Sequence, residues 1–126
     1  MIPAPSKPLL WIGGSKRDLM NLPVSVRKFF GHALDFAQRG GRHGAAKSLK
    51  GFGGAGVLEV MEADEGGTYR AVYTVKFEQA VFVLHCFQKK SKHGIATPNE
   101  DLDLIRSRLK VAETLAKELR NEKTHH

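Results

Sequence analysis

Three side chains in a run of strand-forming residues could act together on a phosphodiester: Arg70, His85 and Glu59. A guanidinium such as that of Arg70 suits the charge that builds on a phosphate during transfer. His85 is the candidate acid or base, because an imidazole of unperturbed pKa ~6.5 serves either way near neutral pH. Glu59 is the complementary base, or the group that orients the imidazole. Downstream, Phe87-Gln88-Lys89-Lys90-Ser91-Lys92-His93 is the densest cationic stretch. Lys89 and Lys90 would add charge at the reacting phosphate. Phe87, Lys92 and His93 would make a phosphate track with a base stacked on the aromatic ring. The plainer reading of this stretch is a solvated loop before a helix. Lys47 and Lys50 close a second basic stretch, in which Arg39 to Lys50 holds four cations, His43 and no acid.

Other motifs fail on context. Gly51-Phe52-Gly53-Gly54-Ala55-Gly56 has the form G-x-G-x-x-G, but the dinucleotide fingerprint follows a strand and opens a helix, whereas this stretch opens a strand. Gly41 to Ser48 is a near miss to a phosphate-binding loop, with Ala46 where the second glycine belongs. His85 and Cys86 are adjacent on a strand and point to opposite faces, so they form no nucleophilic dyad. Cys86 reads as a small buried hydrophobe. His32, His43, His85 and His93 lack ligand spacing. Neither metal nor cofactor is expected.

The elements that must hold these residues follow from periodicity. Leu9–Ile12 is a short strand closed by Gly13 and Gly14, and Ser15 caps a short helix, Lys16–Leu22. Pro23 suits the first turn of a second helix running to about Arg39, with Val26, Phe29, Phe30, Ala33, Leu34 and Ala37 as its apolar stripe. Residues 40–56 form a glycine-rich basic loop. A meander follows: Val57–Ala63, Thr68–Phe77 and Ala80–Gln88. Thr97-Pro98-Asn99-Glu100 is a capping box before a last helix carrying Leu102, Ile105, Leu109, Ala112, Ala116 and Leu119. The order is β-α-α-β-β-β-α in one α+β domain, residues 1–126, with 1–7 and 121–126 frayed.

A two-residue turn at Glu78–Gln79 sets Phe77 opposite Ala80, and a loop over Asp64–Gly67 sets Ala63 opposite Thr68. Alternation then assigns the faces. Leu58, Val60, Ala71, Tyr73, Val75, Phe77, Phe82, Leu84 and Cys86 form an apolar face, predicted to lie against the helices. Val57, Glu59, Met61, Arg70, Val72, Thr74, Lys76, Val81, Val83, His85, Phe87 and Lys89 form a mixed face. Glu59 and His85 flank Val72 there, with Arg70 one step along. Chemistry is expected on this second face.

Composition narrows the function. Lys and Arg number 20 against 13 Asp and Glu in 126 residues, for a net charge of +7. Clustered basic charge without long like-charge blocks favours phosphate backbones as partners. No apolar run approaches the ~20 residues of a membrane span. The N-terminus lacks the apolar core of a signal peptide. A lone cysteine suits a reducing cytosol, so a cytoplasmic location is expected. The His125–His126 pair is set aside from site arguments.

Three ordered stretches carry a resemblance: Gly66 to Tyr73, Val83 to Lys92, and Ala96-Thr97-Pro98, preceded by Lys47-Ser48-Leu49-Lys50-Gly51. Over roughly residues 8–118 the chain resembles the phage-derived, HigB-like branch of the RelE/ParE toxin superfamily. The resemblance implies helices packed on one face of a twisted, mainly antiparallel sheet. It implies a toxin of a toxin–antitoxin pair, with a helix-turn-helix antitoxin as partner. The ribonuclease members cut mRNA in the ribosomal A site without a metal; their phosphate-stabilising arginine corresponds to Arg70, and their assisting basic residues to Lys89, Lys90 and Lys92. Members of the ParE type instead inhibit DNA gyrase without being nucleases. A binding module of phage origin is the third reading, since fold alone does not fix activity.

Overall fold

Alternating apolar residues between Val57 and Lys89 build a meander that needs cover on both faces, and the helices supply it. A computed structural model describes residues 6–54, 56–89 and 97–124. In chain order the elements are β1 (Leu9–Trp11), α1 (Ser15–Met20), α2 (Val24–Gln38), β2 (Lys47–Ser48), β3 (Val57–Asp64), β4 (Gly67–Thr74), β5 (Val81–Lys89) and α3 (Asn99–Thr124). The five strands form one mixed sheet in the order β1-β5-β4-β3-β2. β1 runs parallel to β5, and every other pairing is antiparallel. The α+β class stands. The basic loop is interrupted by the two residues of β2, where Lys47 and Ser48 pair with Glu59 and Leu58. Helix α3 continues through Thr124, beyond the predicted start of fraying.

The expectation that the helices share one sheet face is corrected. Val26, Phe30, Ala33, Leu34 and Ala37 of α2, with Leu19 of α1, pack on Leu58, Val60, Ala71, Tyr73 and Cys86. Ile105, Ala112 and Ala116 of α3 pack on the opposite face, against Val57, Val72, Phe82 and Leu84. The mixed face carries too much apolar area to be left in water, and α3 presents an apolar stripe spaced by three and four that fits it.

The face assignment fails at one point, for an identifiable reason. Strands β3 and β4 pair as predicted from Val57↔Thr74 to Ala63↔Thr68, and β4 and β5 pair as predicted from Thr68↔Lys89 to Val72↔His85. The ladder then slips to Tyr73↔Val83 and Thr74↔Phe82. Leu84 is the extra residue of a β-bulge, which leaves two neighbours on one side of the sheet. Leu84 and His85 both face α3. Phe82 therefore lies on the α3 side, and Val81 and Val83 on the α1–α2 side, the reverse of the sequence assignment. The turn also differs: β4 stops at Thr74 and β5 starts at Val81, so Phe77 and Ala80 do not pair and Phe77 packs on the α3 side.

The bulge has its own fastenings. The Val83 carbonyl accepts the Ile12 N–H at 3.0 Å and the Ser15 hydroxyl at 3.1 Å. Ser15 is thereby committed to the sheet and does not cap α1. The Leu84 carbonyl accepts Nη1 of Arg108, reaching down from α3, at 2.8 Å. Gly13 makes room for that arginine: its φ is +57°, and a Cβ there would lie 2.9 Å from Arg108 Nε. Among the described residues no helix is long and apolar enough to cross a membrane.

Arg108→Met keeps the packed stem and removes the donor. It is expected to cost about 1–3 kcal/mol, the penalty for leaving a buried carbonyl without a partner. Urea unfolding measures this, and an unchanged midpoint would show that water replaces the guanidinium.

Candidate functional site

The mixed face gathers its polar residues in two adjoining rows. Lys47, Glu59, Val72 and His85 lie side by side across β2 to β5, and Met61, Arg70 and Phe87 form the next row. The start of α3 lies over them. Nη1 of Arg70 donates to the Thr97 hydroxyl at 2.9 Å and to both Glu59 carboxylate oxygens at 3.3 Å. The Thr97 hydroxyl in turn donates to Glu59 Oε2 at 2.9 Å. The three side chains close a triangle in which Thr97 both accepts and donates. Arg70 is 1% exposed, so its charge is taken almost wholly out of water. Burial on this scale is tolerated because Glu59 supplies the counter-charge and Thr97 a further acceptor.

This arrangement displaces the predicted capping box. Helix α3 begins at Asn99, and the Pro98 carbonyl accepts the Leu102 N–H at 3.0 Å. The Thr97 side chain bonds to the sheet partners Arg70 and Glu59 rather than capping the helix.

His85 has a different partner from the one expected. Its Nε2 lies 2.7 Å from Asp101 Oδ1, in the first turn of α3, so the imidazole is oriented by Asp101 and not by Glu59. The ring stacks on Phe87, with centroids 4.5 Å apart and planes 13° from parallel. Nδ1 is buried and has no hydrogen-bond partner among the described residues. A proton there would be an unsatisfied buried N–H, so the neutral tautomer that fits carries its proton on Nε2 and donates a hydrogen bond from it to Asp101 Oδ1. Asp101, with 26% of its side chain exposed, is the member of the pair that meets solvent. Asp101 and Thr97 were missed from sequence. An acid in a first helical turn is expected from the helix dipole alone, and nothing local signals a second role.

The remaining predicted residues are spread more widely. Phe87 is half-buried against the α3-side core, with one ring face taken by His85. Lys89 shares the face of Arg70, one row beyond it, opposite Thr68. Lys47 is exposed opposite Glu59, and Lys50 is exposed just after β2. Lys90, Lys92 and His93 lie outside the described residues. Cys86 is buried on the α1–α2 side. Burial first, and the nearby Asp18 second, push its thiol up to about 12, with Arg108 opposing. It is a packing residue and no thiolate nucleophile.

Residues 17–110 match the family described as "Phage derived protein Gp49-like (DUF891)", a family of RelE-like toxins. The match spans Glu59, Arg70, His85, Thr97 and Asp101. No curated protein matches the chain.

Two measurements probe this packing. Glu59→Ala strands the buried guanidinium and is expected to cost about 3–5 kcal/mol. Adding Arg70→Ala should cost less than the sum of the two single changes, and a denaturant double-mutant cycle reads that coupling. Separately, the Cys86 thiol stays neutral in the fold to about 12 but ionises near 9.0 once unfolded. Its stabilisation is whole below the lower value and is lost as pH rises towards the higher. Cys86→Ala should therefore flatten the alkaline fall in unfolding free energy by roughly 1.4 kcal/mol per pH unit; an unaltered slope would show that this thiol does not contribute.

Proposed function

Because the chain belongs to the Gp49-like family of phage-derived proteins, we propose that it is the toxin of a toxin–antitoxin pair, of the HigB-like branch, and that it cuts mRNA on the ribosome. One observation carries the reading: Arg70, His85 and Glu59, distant in sequence, come together on a single sheet face under the start of α3. A ribonuclease of this kind needs no nucleophile of its own. The RNA 2′-OH loses its proton to a base, its oxygen bonds to phosphorus, and the P–O5′ bond breaks as the leaving oxygen takes up a proton. The His85–Asp101 pair is the proton carrier, with Asp101 as its solvent-facing end. Arg70 stabilises the charge on phosphorus, assisted by Lys89 and Lys90. In the closed arrangement Arg70 is held by Thr97 and Glu59, so engagement of substrate includes withdrawal of Thr97 from the guanidinium. The proposed partner is a helix-turn-helix antitoxin, and the proposed place of action is the cytoplasm.

The enclosure of Arg70 favours a second reading, in which the triangle is purely structural and the chain inhibits gyrase or another target by binding it. Single-turnover cleavage of ribosome-bound mRNA separates the two. Arg70→Ala and Arg70→Lys, assayed below their melting temperatures, are expected to cut some 10²–10³-fold more slowly than the parent. Cleavage at the parental rate by folded Arg70→Ala would remove Arg70 from the mechanism. No cleavage by the parent, with inhibition of gyrase supercoiling, would establish the second reading.

A further inference from the structure

The glycine-rich loop that failed as a nucleotide fingerprint has a structural role the sequence does not explain. Phe52 folds in from it and packs against the α3-side core. The Arg106 guanidinium of α3 lies over the Phe52 ring, with Cζ 5.3 Å from the centroid, inside the range of a cation–π contact. Gly51 runs directly beneath this arginine: its φ is +92°, and a Cβ there would come within 3.4 Å of Arg106 Nη2. Glycine suits the position because its φ lies in the left-handed region. Over Gly53 and Gly54 the space is open.

The surroundings are cationic. Between Asp35 and Glu59 the chain contains no acid. Lys50 is exposed at the start of the loop, and the stem of the exposed Lys76 passes against Gly56 at its end. Arg106 itself has 48% of its side chain exposed and, among the described residues, only the outlying Asp103, 77% exposed, as an ion-pair partner at 3.2 Å. Such a pair is weak and easily exchanged.

We propose that Phe52 and Arg106 form a shelf for single-stranded RNA, on which a base stacks against the outer face of the guanidinium while Lys50 and Lys76 meet the flanking phosphates. Phe52 holds the guanidinium flat, and stacking on an arginine plane is a common way for a protein to hold an unpaired base. The shelf lies five residues along α3 from Asp101, about 7.5 Å by helical rise. The choice of RNA as ligand rests on the function proposed above, whereas the shelf geometry does not.

The test is binding of a short, unstructured, fluorescently labelled RNA, followed by anisotropy without ribosomes, so that it is independent of cleavage. Arg106→Gln is expected to weaken binding on the order of tenfold and to lower the slope of log K against log salt by about one unit. Arg106→Lys keeps the charge and loses the plane, so the slope should stay while affinity falls roughly fivefold or more, as for the loss of one stack. Phe52→Leu, which keeps an apolar plug in the core, should behave like Arg106→Lys. Lys28→Gln, an exposed cation on α2 across the sheet, should bind as the parent does. Parental binding by Arg106→Lys and Phe52→Leu would overturn the shelf. So would displacement of the RNA by polyglutamate at equal charge concentration, which would show a site for an acidic protein segment. Parental RNA that binds on the shelf but is never cut on ribosomes would sink the nuclease reading and leave this one standing.

Discussion

The bulge at Leu84 sets the geometry on which the rest of the molecule depends. One extra residue in β5 turns Phe82 towards α3 and Val81 and Val83 towards α2, and it sets Leu84 beside His85 on the same side. Without the slip, a regular β5 would expose one set of apolar residues to the wrong helix along half its length. Around the bulge, Ser15 of α1 bonds to the Val83 carbonyl and Arg108 of α3 to the Leu84 carbonyl. A single irregularity in the ladder thus ties the helices of both layers to the central strand.

The same irregularity explains where sequence reasoning holds and where it stops. Strict alternation, counted from the Asp64–Gly67 turn for β3 and from the Glu78–Gln79 turn for β5, places Glu59, Val72, His85 and Arg70 correctly, because the observed pairs on their side of the slip keep both registers. It misplaces Leu84 at the bulge, and Phe82, Val81 and Val83 on the turn side of it. Nothing in Val81 to Cys86 marks a bulge: there is no glycine or proline, and the segment opens on the strand formers Val81, Phe82 and Val83. The second failure has a different origin. The mixed face looked like a solvent face because it carries Arg70, Glu59, His85 and Lys89, yet Val57, Val72 and Phe87 lie among them. Once α3 covers those apolar groups, the charges must pair beneath it.

The polar residues of the site show how such pairing is obtained from one helix terminus. Thr97 and Asp101, four positions apart, reach three partners on three strands, Glu59 and Arg70 from Thr97 and His85 from Asp101. The local pattern Thr-Pro-x-Glu marks the beginning of a helix correctly and misassigns the threonine, because a cap and a cross-sheet contact demand the same residue types. What distinguishes them is a buried cation across the sheet, and that becomes visible only when the strands are in register. Arg106 and Phe52 were overlooked for a related reason: the first reads as an ordinary helical surface charge, the second as a residue of a glycine loop.

The parallel pairing of β1 with β5 has a consequence for synthesis of the chain. Leu9–Trp11 precede their strand partners, Val81–Val83, by most of the sheet, and the helix that seals the far side follows all five strands. Contacts this remote in sequence slow folding and postpone the closing step. During elongation the α1–α2 layer lacks β5, and the face bearing Glu59 and Arg70 lacks α3. The nascent chain therefore carries the face bearing Glu59 and Arg70, with its apolar residues, uncovered until α3 emerges.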